Sequence, residues 1–174
     1  MTAVPKKVKA GDFGLVPMGP GFAARSIRVA QLFNGDGFTD FEHAFVYVEN
    51  NRIVEAAPSG ARLSEFGYSN VLWSSDLITL TNRQRDEIAS AAMRYVGTPY
   101  SFLDYLALTA HRLRINAPGL QEYVASSKHM ICSQLVDQSY ADAGVHLFTD
   151  NRWPGYVTPG MLAQLLYSKL VNCS

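Results

Sequence analysis

Two β-rich stretches, Phe41 to Val48 and Arg52 to Ala56, meet at Asn50-Asn51, and this pattern constrains the fold more than any other in the chain. Asparagine tolerates left-handed backbone angles, so the pair suits the turn of a hairpin. Further along, the apolar spacing becomes helical. Ile88, Ala91, Ala92, Tyr95 and Val96 mark one face, Thr81 followed by Gln84 resembles a capping box, and Gly97 stops the helix. Strands followed by helices indicate an α+β layer fold.

The remaining segments are read the same way. Residues 11–17 are a turn feeding a short strand, and Val71 to Leu80 holds another strand. Ala24 to Phe33 suits a short helix, and Asn34 to Gly37 is a turn cluster. Ser101 to Leu113 has the pattern of an amphipathic helix, broken by Asn116-Ala117-Pro118-Gly119. Cys132 opens a helix with Leu135, Val136 and Tyr140 facing inward, and Thr158-Pro159 caps and starts the last one.

Composition narrows the function classes. A chain of 174 residues, 48% hydrophobic and 17% charged, suits one domain over residues 1–174. A domain of this size buries roughly 70% of its unfolded surface. Fifteen basic and fifteen acidic residues cancel, and no basic stripe is present, which argues against a nucleic-acid partner. Lys6, Lys7 and Lys9 read as a solvated tail. Two cysteines are too few for a disulfide scaffold. No apolar run has the length of a membrane span, so no stable membrane insertion is expected. The first residues, Met1 to Lys7, lack the apolar stretch of a secretion signal. The expectation is a cytoplasmic protein unless a virion or a signal-less secretion system delivers it.

Cys132 and His43 carry the chemistry. A thiol at a helix N-terminus feels the positive end of the macrodipole and several unpaired N–H groups, both of which favour thiolate. A nearby imidazole completes the activation of a nucleophile. The blander reading of Cys132 is an inert buried thiol, and that of His43 is a core histidine bonded to a carbonyl. His43 alternates with Phe41, Phe45 and Tyr47 on one strand face. His111, His129 and His146 are its competitors and read as residues of helix or loop surfaces. No spacing of His, Cys and Asp reads as a zinc site, so neither metal nor cofactor is expected.

The ordered set Gly11-Asp12, His43 to Val48, Ile53 to Ala56, Gly97-Thr98-Pro99-Tyr100 and Cys132 to Val136 resembles the NlpC/P60 superfamily of papain-like thiol hydrolases. With His before Cys, it is similar to the circularly permuted branch, which also holds lecithin:retinol acyltransferase-like enzymes. The resemblance runs from about residue 11 to about residue 162. It implies a small antiparallel sheet or partial barrel packed against helices. It also implies Cys132 as nucleophile, His43 as general base, a polar residue on the next strand as orienter, and a tyrosine near the oxyanion. Glu55 and Tyr100 match the last two positions. Their alternatives are a solvated hairpin glutamate and a core aromatic. Glu55 reaches the face of His43 only if the hairpin loop is odd in length or carries a bulge; centred on Glu49, the hairpin sets the two directly opposite. Gly11-Asp12 reads as a structural turn. Residues 101–131 form an inserted helical segment, either a cover over the cleft or a packing layer.

These residues imply acyl transfer. The substrate is a peptide or another acyl compound. The leading expectation is a cysteine peptidase or amidase, acting on targets such as bacterial cell-wall peptides. A lipid-directed thioesterase or acyltransferase is the second, and a non-catalytic binding domain on the same fold the third.

Overall fold

A computed structural model describes residues 3–17, 41–57, 59–99, 131–149 and 157–172. The strands are β1 (Phe13–Pro17), β2 (Phe41–Glu49), β3 (Arg52–Ala57), β4 (Gly60–Glu65) and β5 (Leu72–Trp73). The helices are α1 (Asn82–Arg94), α2 (Cys132–Asp142) and α3 (Pro159–Asn172). The five strands form one antiparallel sheet in the order β4-β3-β2-β1-β5. The architecture is therefore α+β.

Alternation along the strands gives the sheet two apolar faces. Phe13, Leu15, Ala44, Val46, Val54 and Ala56 pack against Ile88 and Ala92 of α1, Leu135, Val136 and Tyr140 of α2, and Leu162 and Leu166 of α3. The opposite face gathers Phe45, Ile53, Phe66 and Trp73, with Tyr47 and Tyr68 against them. Burial of the first set is the main source of stability, at about 25 cal/mol per Å² of apolar surface removed from water. Val8 lies under the second face, so the segment carrying Lys6, Lys7 and Lys9 is docked there. The three lysines themselves are exposed, as a solvated segment requires.

Asn50 and Asn51 both have positive φ, +51° and +59°, and form the two-residue turn of the β2–β3 hairpin. Glu49 pairs with Arg52, but the register then shifts by one, so that Tyr47 pairs with Ile53 and Phe45 with Glu55. Of the two arrangements that put Glu55 on the face of His43, an odd loop centred on Glu49 or a bulge, the hairpin takes the bulge. A second irregularity, between Val16 and Pro17 where β1 meets β2, puts Phe41 in the helix-side core. Phe41 thus leaves the face that His43 shares with Phe45.

β4 is absent from the sequence reading. Val71 to Leu80 contributes only the two-residue β5. Helix α1 opens with the complete Thr81–Gln84 capping box, and Tyr95 is its C-cap, so Val96 and Gly97 lie beyond it. Gly97, at φ +91°, turns the chain back to the sheet edge. There its N–H donates to the Ala61 carbonyl at 2.7 Å, and the Ala61 N–H donates to the Thr98 carbonyl at 2.8 Å. This contact partly covers the exposed edge of β4. The Thr158 hydroxyl accepts from the Met161 N–H at 3.2 Å, and Pro159 begins α3. The expected helices at Ala24 to Phe33 and Ser101 to Leu113, and the segment 101–131, lie outside the described residues. Among the described residues, no helix is long and apolar enough to cross a membrane.

Candidate active site

Cys132 is the first residue of α2, and the N-cap residue Ile131 offers no side-chain hydrogen bond to the helix. The sulfur takes up part of that role. It accepts from the backbone N–H groups of Ser133 and Ala44, and it hydrogen-bonds the His43 side chain. The Ala44 contact follows from the sheet. In an antiparallel strand, N–H groups alternate between the two neighbours. The Tyr47 N–H donates toward β1, to the Asp12 carbonyl at 2.8 Å, so the Ala44 N–H points toward β3. The β2–β3 pairing ends at Phe45↔Glu55, and sulfur takes the place of the next carbonyl.

His43 and Glu55 share one face of the sheet. Phe45 is the residue opposite Glu55, so the imidazole reaches the carboxylate diagonally, from Nε2 to Oε2 at 2.9 Å. Nε2 is committed to an acceptor, which leaves Nδ1 as the nitrogen for the thiol. The glutamate is 2% exposed. Its Oε1 accepts from Arg62 Nε at 3.1 Å, Arg62 Nη2 at 2.9 Å and Ser64 Oγ at 2.9 Å. Its Oε2 accepts from the Tyr68 hydroxyl as well as from His43. The buried charge is thus fully paired, as burial demands.

The electrostatics follow from these contacts. Burial pushes the His43 pKa down, but hydrogen bonds and charge from Cys132 and Glu55 outweigh it and raise it to about 9. Burial pushes the Cys132 thiol up, and the imidazole together with the Ala44 and Ser133 N–H groups brings it below its ordinary value. Burial likewise pushes Glu55 up, but His43, Tyr68 and Ser64 hold it at about 2. Burial and the neighbouring carboxylate push Tyr68 above the usual phenol range, so it stays a proton donor. The shifts thus favour the thiolate of Cys132, the imidazolium of His43 and the carboxylate of Glu55.

The structure therefore brings together three of the four residues singled out in the sequence: Cys132, His43 and Glu55. Tyr100 lies outside the described residues, as do His111 and His129, while His146 is exposed in the segment after α2. Arg62, Ser64 and Tyr68 were missed. The Pro-Ser-Gly run at 58–60 was the available sequence signal for a second hairpin, and the antiparallel pairing of β3 with β4 sets Arg62 opposite Glu55. Tyr68 had no such signal, because stacking on Phe45 fixes its place (ring centroids 5.5 Å apart, planes 13° apart).

Asp12 has a structural environment. It is 1% exposed and accepts from the Lys9 N–H at 2.9 Å, Ser75 Oγ at 2.8 Å and Arg85 Nη1 at 2.7 Å. These bonds tie the start of β1 to α1. Among the described residues, no three His, Cys, Asp or Glu side chains cluster as metal ligands would. Compared with family models, curated proteins and solved structures, the chain matches none of them.

Proposed function

We propose that this protein is a cysteine-dependent amide hydrolase, a peptidase or amidase, with the fold of the circularly permuted papain-like branch of the NlpC/P60 superfamily. The observation that carries this reading is the His43 imidazole, hydrogen-bonded on one side to Glu55 and on the other to Cys132 at the start of α2. A non-catalytic domain has no need for a thiol drawn toward thiolate inside a folded core.

In the proposed reaction the Cys132 thiolate attacks the carbonyl carbon, and the carbonyl electrons move to oxygen. N–H groups at the start of α2, with Tyr100, stabilise the oxyanion. The intermediate collapses, the C–N bond breaks, and the His43 imidazolium gives its proton to the departing amine. A thioester on Cys132 and a neutral imidazole remain. Water then attacks the thioester while His43 takes its proton. Collapse releases the carboxylic acid and restores the thiolate–imidazolium pair. Glu55 orients the ring and stabilises its charged form without taking the proton.

The test is iodoacetamide labelling across pH with mass-spectrometric site assignment, on wild type and His43→Ala, followed by turnover assays with amides and thioesters. Cys132 is expected to alkylate well below pH 8, to lose that reactivity without His43, and to turn over amides. An inert Cys132 beside a normally reacting Cys173 overturns the enzyme reading. Turnover confined to thioesters overturns the amide assignment.

A further inference from the structure

A glutamate in the orienting position brings a difficulty with it. A bare carboxylate beside an imidazolium in a buried site holds the proton on the ring, yet His43 must release it to a leaving group and later collect one from water. The donors around Glu55 address this. We propose that Arg62 and Tyr68 are positioning residues that hold the Glu55 carboxylate in place and draw its charge away from His43. The proposal rests on the thiol-hydrolase reading of the site and deepens it.

Three observations carry the inference. First, the donors divide between the two oxygens. Arg62 Nε, Arg62 Nη2 and Ser64 Oγ converge on Oε1, while Tyr68 shares Oε2 with His43 Nε2. The oxygen facing the imidazole is therefore never His43's alone, and the other is occupied by a cation. Second, Arg62 lies directly opposite Glu55 in the β3–β4 ladder, so the sheet itself sets the ion pair. Its side chain is 54% exposed, which keeps the guanidinium partly hydrated while its nitrogens meet the carboxylate. Third, the Tyr68 ring stacks on Phe45 and tilts against the His43 ring, with centroids 5.6 Å apart and planes at 54°. One side chain thus touches both the imidazole and its acceptor.

The charged and titratable groups facing Glu55 are His43 on β2, Arg62 on β4 and Tyr68 in the segment after β4; those facing His43 are Cys132 on α2, Glu55 on β3 and the Tyr68 ring. Removing a donor from Glu55 leaves more negative charge at Oε2 and strengthens its hold on the imidazolium. The imidazole titration must then move upward.

The experiment is an NMR titration of the His43 ring in the full chain carrying Cys132→Ala, where the imidazole titrates without the coupled thiol. Tyr68→Phe keeps the ring on Phe45 and deletes only the hydroxyl, and Arg62→Met keeps the stem and deletes the charge. Each is expected to raise the His43 midpoint by about half a pH unit or more. Arg62→Lys, which restores the charge, is expected to lie nearer the parent. A midpoint that stays in place or falls in Tyr68→Phe overturns the proposal, even if thermal stability drops, because a purely structural role predicts that pattern. Tyr68→Phe decides alone if Arg62→Met does not fold. Because Cys132 is absent, this result is independent of thiol reactivity. Alkylation of the intact chain reports separately on the enzyme reading.

Discussion

His43 reaches Glu55 diagonally across the β2–β3 hairpin: Nε2 lies 2.9 Å from Oε2, although the residue directly opposite Glu55 is Phe45. The diagonal exists because the bulge beyond the Asn50-Asn51 turn moves the register by one residue, which returns Glu55 to the face of His43. The same hairpin stops pairing just past Phe45, where the Ala44 N–H meets the sulfur of Cys132. Cys132 belongs to the helix-side core and His43 to the opposite face, and they meet where β2 and β3 part.

Cys132→Ala is expected to abolish hydrolysis and leave the fold intact. The side chain is small, and Leu135, Val136 and Tyr140 still anchor α2. Thermal unfolding should shift by less than about 5 °C, while turnover falls to background. Cys173→Ala should leave turnover unchanged, and a large loss there would assign the wrong thiol.

The alkaline limb of the activity profile should lie near the His43 value of about 9. Above it the imidazolium loses the proton needed by the leaving group, so kcat/KM for an amide falls. Alkylation of Cys132 does not need that proton and should persist, and comparing the two profiles separates the roles. In stability the sign is the same. The His43 value is raised from 6.5 to about 9, so its contribution is complete below pH 6.5 and is lost as pH rises through 9.

Glu55 works in the other direction. Its value falls from 4.5 to about 2, so its contribution is present above pH 4.5 and is lost as pH falls through 2. Glu55→Gln should be less stable than wild type at pH 6, and the gap should narrow on acidification. Urea unfolding at pH 6 and pH 3 checks this, with an expected narrowing on the order of 2 kcal/mol.

Arg85→Met and Gly11→Ala should weaken the fold and spare the chemistry. The first leaves the buried Asp12 carboxylate without its cation, 2.7 Å away in the native chain, at a cost of about 3 kcal/mol. The second adds a Cβ at 2.8 Å from the Arg85 backbone, at a position with φ +83°. That combination costs about 2 kcal/mol or more. Denaturant unfolding measures both. Activity per folded molecule should be unchanged, because neither residue touches Cys132, His43 or Glu55.

The elements readable from the sequence are those with local causes. The Asn50-Asn51 hairpin, the Thr81–Gln84 capping box, the helix opening at Cys132 and the Thr158-Pro159 start of α3 each follow from backbone preferences of a few adjacent residues. The pairing of Cys132, His43 and Glu55 was expected from an ordered set of motifs, and the geometry that joins them came from the bulge and the opened ladder. β4 escaped because Arg62, Ser64 and Glu65 are poor strand formers, and only pairing with β3 makes them a strand. Phe41 changed faces through an irregularity that no local pattern records. The donors on Glu55 come from Arg62 and Ser64 on β4 and from Tyr68 beyond it. Local sequence thus determined which segments turn, coil or extend, because those choices depend on near neighbours. Tertiary structure decided which side chains share a face and which charges meet, because register and stacking are set between residues far apart in the chain.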